Sequence, residues 1–292
     1  MALELRIYAG YFVDRPIYSD EDIKQYLDNL ATYLPHLDKL YIYNQTKSDI
    51  KKFISSINAS QKIEYVDAYG YGEAEIYQEL VNKSIQENAD FVTYIRPGYF
   101  YEESVFSELK KYLATSDLSK LAILTPMPLL ACEIHERKSE AYRTIKGCRL
   151  LGALLNLHIY KESPFIKTEY YQTTFDYEYC LRIRNLGYDV VLAQNCAFRN
   201  QNYRTISRKL LFITLKAYER DIMDLYYETR NRYYLWDEYK YIDPEYIKID
   251  KKLAHQERKE IRTRDKNYRD KFIMIDKAKD DYKEKKLGKY NK

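Results

Sequence analysis

The 292-residue sequence is poor in the residues that build metal centres and cross-links. Its four cysteines show no C-x-x-C spacing and its four histidines are scattered, so no zinc site can be read from it. This pattern is typical of free thiols in a reducing compartment. The N-terminus lacks the basic region and apolar run of a signal peptide, and no window approaches the about 18 apolar residues of a transmembrane helix. These absences predict a cytoplasmic protein.

The remaining composition is that of a folded protein. A hydrophobic content of 46% with 32% charged residues is typical of a soluble globular chain. The length of 292 residues suits one large α/β domain with an appendage, or two small domains. Tyrosine is abundant, at 34 residues against ten Phe and one Trp. Its apolar ring and polar hydroxyl suit half-buried faces and sugar-contacting clefts, although an AT-rich coding sequence produces the same excess.

Positive charge is concentrated near the C-terminus. Residues 251–292 hold 16 Lys and Arg against 8 Asp and Glu, a net charge of +8, whereas residues 1–250 carry −4. We predict a basic helical or disordered tail here. It either meets an anionic surface, at the inner membrane face or on an acidic partner, or forms a solvated helix that aids only solubility. Its mixed charge and the lack of a recognised motif argue against nucleic-acid binding.

Strands and helices alternate along the first hundred residues, which predicts a parallel sheet with its ligands beyond the carboxyl ends of the strands. A helical pattern is also expected at 104–113 and from Ser207 to Tyr239, and a buried strand at Ala122–Pro126. The predicted strands of the first part are Leu3–Phe12, Lys39–Tyr43, Lys62–Val66 and Asp90–Ile95, and the helices are Glu21–Tyr33, Ser48–Ile57 and Glu73–Asn88.

The stretch EYYQTTFDYEYCLRIRNLGYDVV, from Glu169 to Val191, places two carboxylates just before a helical pattern. Asp176 and Glu178 are at the expected mouth of that helix, where free N–H groups and the dipole favour acids. Such a position lets a carboxylate face a cleft. The plainer interpretation is a capped amphipathic helix with ordinary surface acids.

This stretch resembles the acceptor-side motif of family 2 glycosyltransferases, which runs roughly F-F-x-x-x-E-D-x-D-x-C-x-R-x-R-x-x-G-Y. Asp176 stands at the position of the catalytic base and Glu178 at that of the second acid, while Phe175 replaces the family's Glu. Within this family the chain resembles bacterial rhamnosyltransferase-like enzymes of surface glycan synthesis. The other matching residues are Tyr170, Tyr171, Cys180, Arg182, Arg184 and Gly187-Tyr188.

The first hundred residues resemble the donor half of the same family. In AYGYGEAEIYQELVNKSI, Gly70 and Gly72 keep the places of glycines that border a nucleotide. A simple strand-to-helix turn would use the same glycines. The D-x-D motif, whose carboxylates hold a divalent cation, is replaced by Arg96-Pro97-Gly98. The nucleotide-contacting Asp aligns with Tyr43, and a His that often follows the acceptor motif aligns with Asn200.

The resemblance implies a Rossmann-like glycosyltransferase type A fold over residues 1–203, a helical segment over 204–250 and the tail over 251–292. It implies an inverting hexose transfer from a nucleotide sugar to a lipid-linked or protein-linked glycan acceptor, with Asp176 as base and Glu178 orienting the acceptor or the base. Since no D-x-D is present, we expect no metal and no other cofactor, with Arg96 supplying charge to the diphosphate. The residues implied are Arg96, Gly98, Tyr43, Gly70 and Gly72 for the donor, and Tyr170, Tyr171 and Arg182 for the acceptor.

Two alternatives stay open at this point. A chain without the metal motif can persist as a non-catalytic glycosyltransferase-like subunit that binds sugar or stabilises a partner transferase. Arg182 and Arg184 can equally be helix residues that pair with nearby acids.

Overall fold

The structure of the protein, a computed structural model, describes residues 5–17, 19–47, 49–57, 62–130, 132–202, 204–210 and 213–291. Five positions named above lie outside these ranges: Leu3 and Ser48, where a strand and a helix were predicted to begin, and residues 1, 203 and 292, which bound the predicted domains. The described strands are β1 (Ile7–Val13), β2 (Lys39–Asn44), β3 (Ile63–Asp67), β4 (Phe91–Ile95), β5 (Tyr99–Tyr101), β6 (Leu121–Leu130), β7 (Tyr142–Thr144), β8 (Leu154–Asn156), β9 (Asp189–Asn200), β10 (Thr205–Leu210) and β11 (Ile213–Tyr218).

The described helices pack around the central sheet that most of these strands form, or follow it in the chain. Ser19 caps the first helix by accepting a hydrogen bond from the N–H of Asp22 at 3.0 Å, and Asp221 caps the seventh in the same way. The helices are α1 (Asp20–Tyr33), α2 (Lys51–Ser55), α3 (Glu73–Gln86), α4 (Val105–Thr115), α5 (Leu157–Tyr160), α6 (Phe175–Asn185), α7 (Ile222–Tyr239), α8 (Pro244–Arg264) and α9 (Tyr268–Lys283).

One nine-stranded sheet forms the centre of the molecule. Its order is β3-β2-β1-β4-β8-β6-β9-β5, with β7 paired to β9. The β3-β2-β1-β4 half is parallel, and β1 and β4 are buried along their whole length, as expected for strands covered on both faces. The other half is mixed, because β6 and β9 run parallel while β8, β5 and β7 join antiparallel. The predicted α/β fold with a parallel sheet is confirmed.

The register of this sheet brings the ends of β1 and β4 together. Tyr11 of β1 lies beside Ile95 of β4, so the residues that follow the two strands emerge side by side at the carboxyl edge. Asp14 follows β1 and Arg96 follows β4. This edge carries the candidate site described below.

The C-terminal helices pack on one another and on α6. Leu181 of α6 is buried with Leu235 and Trp236 of α7 and Ile247 of α8. A second apolar contact joins Leu225, Ile261 and Ile275, so α9 contributes buried side chains to the core. The residues after 250 are therefore helical and packed as far as Lys283.

The prediction of a helix beginning at Ser207 is wrong. Residues 205–218 form the antiparallel β10–β11 hairpin, and the helix begins at Ile222. Extended backbone is favoured by the β-branched residues of this segment, which are Thr205, Ile206, Ile213 and Thr214. This preference outweighs the helical spacing of apolar residues from which the helix was predicted. None of the described helices is long and apolar enough to cross a membrane.

Candidate active site

The site is built around the N-terminus of α6 and the loop before it. Residues 170–174, the acceptor loop, contain three non-glycine residues with left-handed backbone: Tyr171 (φ 62°), Thr173 (φ 50°) and Thr174 (φ 69°). Each such residue stores of the order of 1–3 kcal/mol of strain, and such residues cluster at functional sites. The loop therefore needs an external clamp.

Helix α7 supplies that clamp. The side-chain amide of the fully buried Asn231 lies 3.0 Å from the carbonyl of Tyr170, 2.9 Å from that of Gln172 and 3.1 Å from that of Thr173. The neighbouring Arg230 donates to the carbonyl of Tyr170 at 3.3 Å. Both residues lie in the α7 segment 226–235, which reads YYETRNRYYL and thus holds the acceptor loop.

A strap formed by residues 284–291 covers the other side of this loop. The N–H of Gly288 donates to the carbonyl of Glu169 at 2.6 Å, and the Gly288 carbonyl accepts from Arg230 at 2.8 Å. Further along, the N–H of Tyr290 donates to the hydroxyl of Tyr227. The strap after α9 is thus bonded to Glu169, the residue directly before the acceptor loop, and to α7.

Asp176 lies in the first turn of α6 and is fully buried. Its Oδ1 accepts from the N–H of Tyr177 at 2.9 Å, and its Oδ2 lies 2.5 Å from Nε of Arg149. Burial raises the pKa of Asp176 above its ordinary value, since the charged form loses hydration, while the Arg149 guanidinium opposes this shift. A carboxylate with a raised pKa beside a cleft is a candidate proton acceptor.

Arg149 belongs to a row of alternating charges, here called the charge chain: Asp14, Arg96, Glu73, Arg149 and Asp176. Arg96 donates from Nε to Asp14 at 3.1 Å, and its Nη1 lies 3.3 Å from Glu73. Glu73 lies 3.5 Å from Nη2 of Arg149 and accepts from the hydroxyl of Tyr94 at 2.6 Å. Although burial opposes it, the guanidinium of Arg96 holds the pKa of Asp14 below its ordinary value.

The segment Arg96-Pro97-Gly98 forms a tight turn between β4 and β5. The N–H of Tyr99 donates to the carbonyl of Arg96 at 3.1 Å, and Gly98 has φ 79°, so proline and glycine occupy the positions that a type II turn favours. The side chain of Asn202 closes the turn by donating to the Pro97 carbonyl at 2.7 Å. It would collide with any β-carbon added at Gly98, which explains the glycine there.

Glu178 and Arg182 are not members of the charge chain. Glu178 is fully buried and accepts from the hydroxyl of Tyr239 at 2.7 Å and from Nε of Arg182 at 3.1 Å. Arg182 also donates to the carbonyl of Ser163 at 3.2 Å. These bonds fasten α6 to α7 and to the 163–165 loop, so the structure gives both side chains internal partners where the sequence predicted acceptor contacts.

The predicted tyrosines and glycines differ in exposure: Gly70 and part of Tyr171 are exposed, whereas the others are buried. Tyr171 is half-buried and covers Gly72: a β-carbon at Gly72 would lie 2.3 Å from the Tyr171 carbonyl oxygen. Gly70 is exposed with φ 89° and lies in the turn before α3. Tyr170 and Tyr43 are both buried, and Tyr43 packs in the sheet core against Phe12. The side chain of Tyr43 thus has no exposed surface with which to contact a nucleotide.

A cavity of about 250 Å³ opens beside the charge chain. Asp224 of α7 lies in it and accepts from Nε2 of Gln172 at 2.9 Å, and burial raises the pKa of Asp224 above its ordinary value. The sequence reasoning missed Asp14, Arg149 and Asp224, and it missed Glu73 although Glu73 is in the glycine segment quoted above. The lining residues are Arg15, Glu73, Arg96, Tyr99, Arg149, Gln172, Thr173, Asn200, Asn202, Glu219, Arg220, Asp221, Asp224 and Glu228.

A divalent cation fits these residues poorly. Asp14 and Glu73, the carboxylates nearest to the position of a D-x-D motif, are already paired with Arg96. Within the part of the chain that the structure describes, no three His, Cys, Asp or Glu side chains form a group that could hold a metal ion. The positive charge at this edge of the sheet comes from guanidinium groups.

Comparison with known proteins identifies the fold. No protein-family model and no curated protein matches the chain. The crystal structure of GalNAc-T7 with UDP, GalNAc and Mn²⁺ matches with a TM-score of 0.58 at 9% identity, over 82% of this chain and 49% of that chain. The chain thus spans about half the length of GalNAc-T7. The crystal structure of S. aureus TarS 1-349 in complex with UDP-GlcNAc matches with a TM-score of 0.48 at 10% identity, over 94% of this chain and 71% of that chain. The protein has the glycosyltransferase type A fold with C-terminal helices.

Proposed function

We propose that the protein is a glycosyltransferase that moves a hexose from a nucleotide sugar to an acceptor hydroxyl. The observation that carries this proposal is the position of Asp176. A carboxylate with a raised pKa occupies the first turn of the helix that follows the strained acceptor loop, and its partner Arg149 lines a cavity at the carboxyl edge of the sheet. Ligands of open α/β sheets bind at this edge.

The proposed reaction is a single displacement. The acceptor oxygen attacks the anomeric carbon and its proton passes to Asp176, while the bond from that carbon to the diphosphate oxygen breaks. The configuration of the anomeric carbon is inverted. The negative charge that develops on the leaving diphosphate needs fixed positive groups, and Arg96 and Arg149 lie at the cavity wall to supply them.

The transfer is proposed to be independent of a metal. Guanidinium groups pair with phosphate oxygens through two hydrogen bonds and are always charged, so they can stabilise the leaving group without a cation. The acceptor is proposed to be a lipid-linked or protein-linked glycan of a bacterial surface pathway, on the strength of the sequence resemblance. The nucleotide sugar is the only small molecule this reaction requires.

A second candidate function, a non-catalytic subunit that binds sugar or stabilises a partner transferase, is favoured by a specific feature. Asp176 has no exposed surface, and Arg96 is held between two carboxylates. A protein with this function would bind a sugar nucleotide or a partner without turnover. The experiment below separates it from the transferase.

Replacement of Asp176 by Asn tests the base. We expect turnover of the nucleotide sugar to fall by ~10²–10⁴-fold while calorimetric donor binding changes little, because the amide keeps the shape but accepts no proton. Asp280→Asn, on the exposed side of α9, is the matched control and keeps wild-type turnover. Turnover of Asp176→Asn within a few-fold of wild type would remove this residue from the mechanism, and donor binding without any wild-type turnover would favour the non-catalytic subunit.

We also propose that the C-terminal region binds an anionic membrane surface, with a partner transferase as the other candidate. Much of its charge is paired within the chain: Lys277 contacts Asp281 and Lys283 contacts Asp280. The exposed side of α8 is different. Ile249 and Leu253, each nearly half exposed, lie one turn apart beside the exposed lysines 248 and 252. Apolar side chains flanked by lysines suit a membrane interface.

A further inference from the structure

Arg149 is the member of the charge chain that is best placed to change partners. Its side chain is 38% exposed and lines the cavity, whereas that of Arg96 is 16% exposed. Within the described part of the chain, Arg149 donates a single hydrogen bond, at 3.5 Å to Glu73. Its Nε and the Oδ2 of Asp176 are buried and close together, but among the described residues neither has an aligned hydrogen-bond partner. The pair is thus held by charge without a well-formed hydrogen bond.

Arg96 is tied more tightly. Its Nε and Nη2 both donate to Asp14 and its Nη1 donates to Glu73, so each nitrogen of the guanidinium has a carboxylate partner. An anion that enters the cavity therefore displaces Arg149 from its partners at lower cost than Arg96.

We propose that Arg149 is an anion-operated gate over Asp176. A diphosphate group in the cavity draws the guanidinium of Arg149 toward itself, and Asp176 is thereby released to accept the proton of the acceptor hydroxyl. This inference rests on the proposed transfer reaction and gives Arg149 a second role, as the group that holds and releases Asp176, together with an order of events. Donor binding comes first and creates the base.

The surroundings of Asp176 explain why the release matters. The charged and titratable groups that face it are Glu73 of α3, Tyr94 of β4, Tyr177 of α6 and, in the loop between β7 and β8, Cys148 and Arg149. Arg149 alone among them carries positive charge. Once it turns to the diphosphate, burial and the Glu73 carboxylate both raise the pKa of Asp176 further, and the carboxylate becomes a stronger base. Without a donor the carboxylate stays paired.

Binding of inorganic pyrophosphate to the full-length protein tests the gate without reference to the nucleotide or the sugar. We expect Arg149→Gln to weaken pyrophosphate binding about ten- to hundred-fold in calorimetry, the scale of lost charge-assisted hydrogen bonds. Arg143→Gln removes the same charge from the exposed strand β7 and should bind as wild type does. Equal affinity of the Arg149→Gln and Arg143→Gln proteins would overturn the proposal.

Proton uptake provides a readout that a merely structural arginine would not change. With pyrophosphate alone no acceptor hydroxyl is present, so a freed Asp176 draws a proton from the solvent as its pKa rises. This uptake is measured as a dependence of the binding enthalpy on the ionisation enthalpy of the buffer. Asp176→Asn should abolish the part of this uptake that belongs to the carboxylate. Identical uptake in the wild-type and Asp176→Asn proteins would refute the gate.

The pH profile of transfer separates this proposal from the proposed function. In Arg149→Gln the acidic limb of the pH profile of kcat/KM should move to higher pH. Without the guanidinium the pKa of Asp176 is higher, so the carboxyl group stays protonated up to a higher pH. Transfer by wild type with an unmoved limb in Arg149→Gln would leave the transferase standing and refute the gate. In the opposite case the protein transfers no sugar, while its pyrophosphate binding depends on Arg149 and its proton uptake depends on Asp176. That result would support the gate and refute the transferase.

Discussion

Asn231→Ala removes the amide that clamps the acceptor loop to α7. In the wild-type protein the two N–H groups of this amide are shared among the carbonyls of Tyr170, Gln172 and Thr173. Tyr170 keeps a second donor, Arg230, at 3.3 Å. The truncation therefore leaves two carbonyl groups, those of Gln172 and Thr173, without the side-chain donor that now satisfies them.

The expected loss follows from these two groups. A buried carbonyl that loses its donor costs about 1–3 kcal/mol. Thr173 is 9% exposed, so its carbonyl bears the full cost, whereas water can partly replace the amide at the half-buried Gln172. We expect the free energy of unfolding to fall by about 2–4 kcal/mol. The left-handed residues would also relax once the clamp is gone, which displaces Asp176 and lowers turnover.

Urea denaturation monitored by circular dichroism measures this change, and hydrogen exchange of the loop amides shows whether opening is local. Asn82→Ala is the matched control, because Asn82 is exposed on α3 and, among the residues that the structure describes, its side chain accepts only from Gln78, at 2.9 Å. A loss below about 0.5 kcal/mol for Asn231→Ala, the range of ordinary surface substitutions, would show that the loop holds its conformation without the amide.

Two further predictions concern the metal dependence of transfer and the binding of the protein to anionic membranes. Donor binding and transfer should persist in EDTA, because Arg96 already occupies the carboxylates Asp14 and Glu73; activity lost in EDTA and restored by Mn²⁺ would contradict this. Liposomes with anionic lipid should retain the protein at low salt and release it at high salt. The double change Lys248→Glu, Lys252→Glu should weaken retention by up to about 2 kcal/mol per charge reversed, since each lysine contributes up to ~1 kcal/mol. Lys279→Glu, Lys283→Glu on α9 is the control, and equal recovery of the two double variants with the liposomes would exclude a membrane role for α8.

The fold was predictable because its signals are local. Runs such as the one from Ile7 to Val13 are apolar over a whole buried strand, and Ser19 marks a helix start through a bond from the N–H of the residue three positions later. The sequence 169–191 predicted α6 and its two acids correctly as a helix mouth. The functional roles of Asp176 and Glu178 stay predictions. Asp176 pairs with Arg149 of the charge chain, whereas Glu178 bonds to Tyr239 and Arg182, and the spacing of the two acids does not reveal this difference.

The charge chain could not be predicted in this way. Asp14 and Asp176 are far apart in sequence, and their connection through Arg96, Glu73 and Arg149 exists only after the sheet has brought the ends of β1 and β4 together. Pairing of this kind depends on tertiary distance, which no periodicity encodes. The hairpin at 205–218 was missed for a related reason, since both strands depend on pairing with each other.

The strap has a consequence for how the molecule is assembled. Residues 169 and 288 are joined by a backbone hydrogen bond, so the residue that leads into the acceptor loop gains this partner only when the end of α9 has been made and docked. During synthesis, the parallel strands can pair while the later helices are still absent. Contacts of such long sequence separation form late because the chain between them must first be ordered. We therefore expect the candidate site to be the last region of the protein to acquire its native conformation.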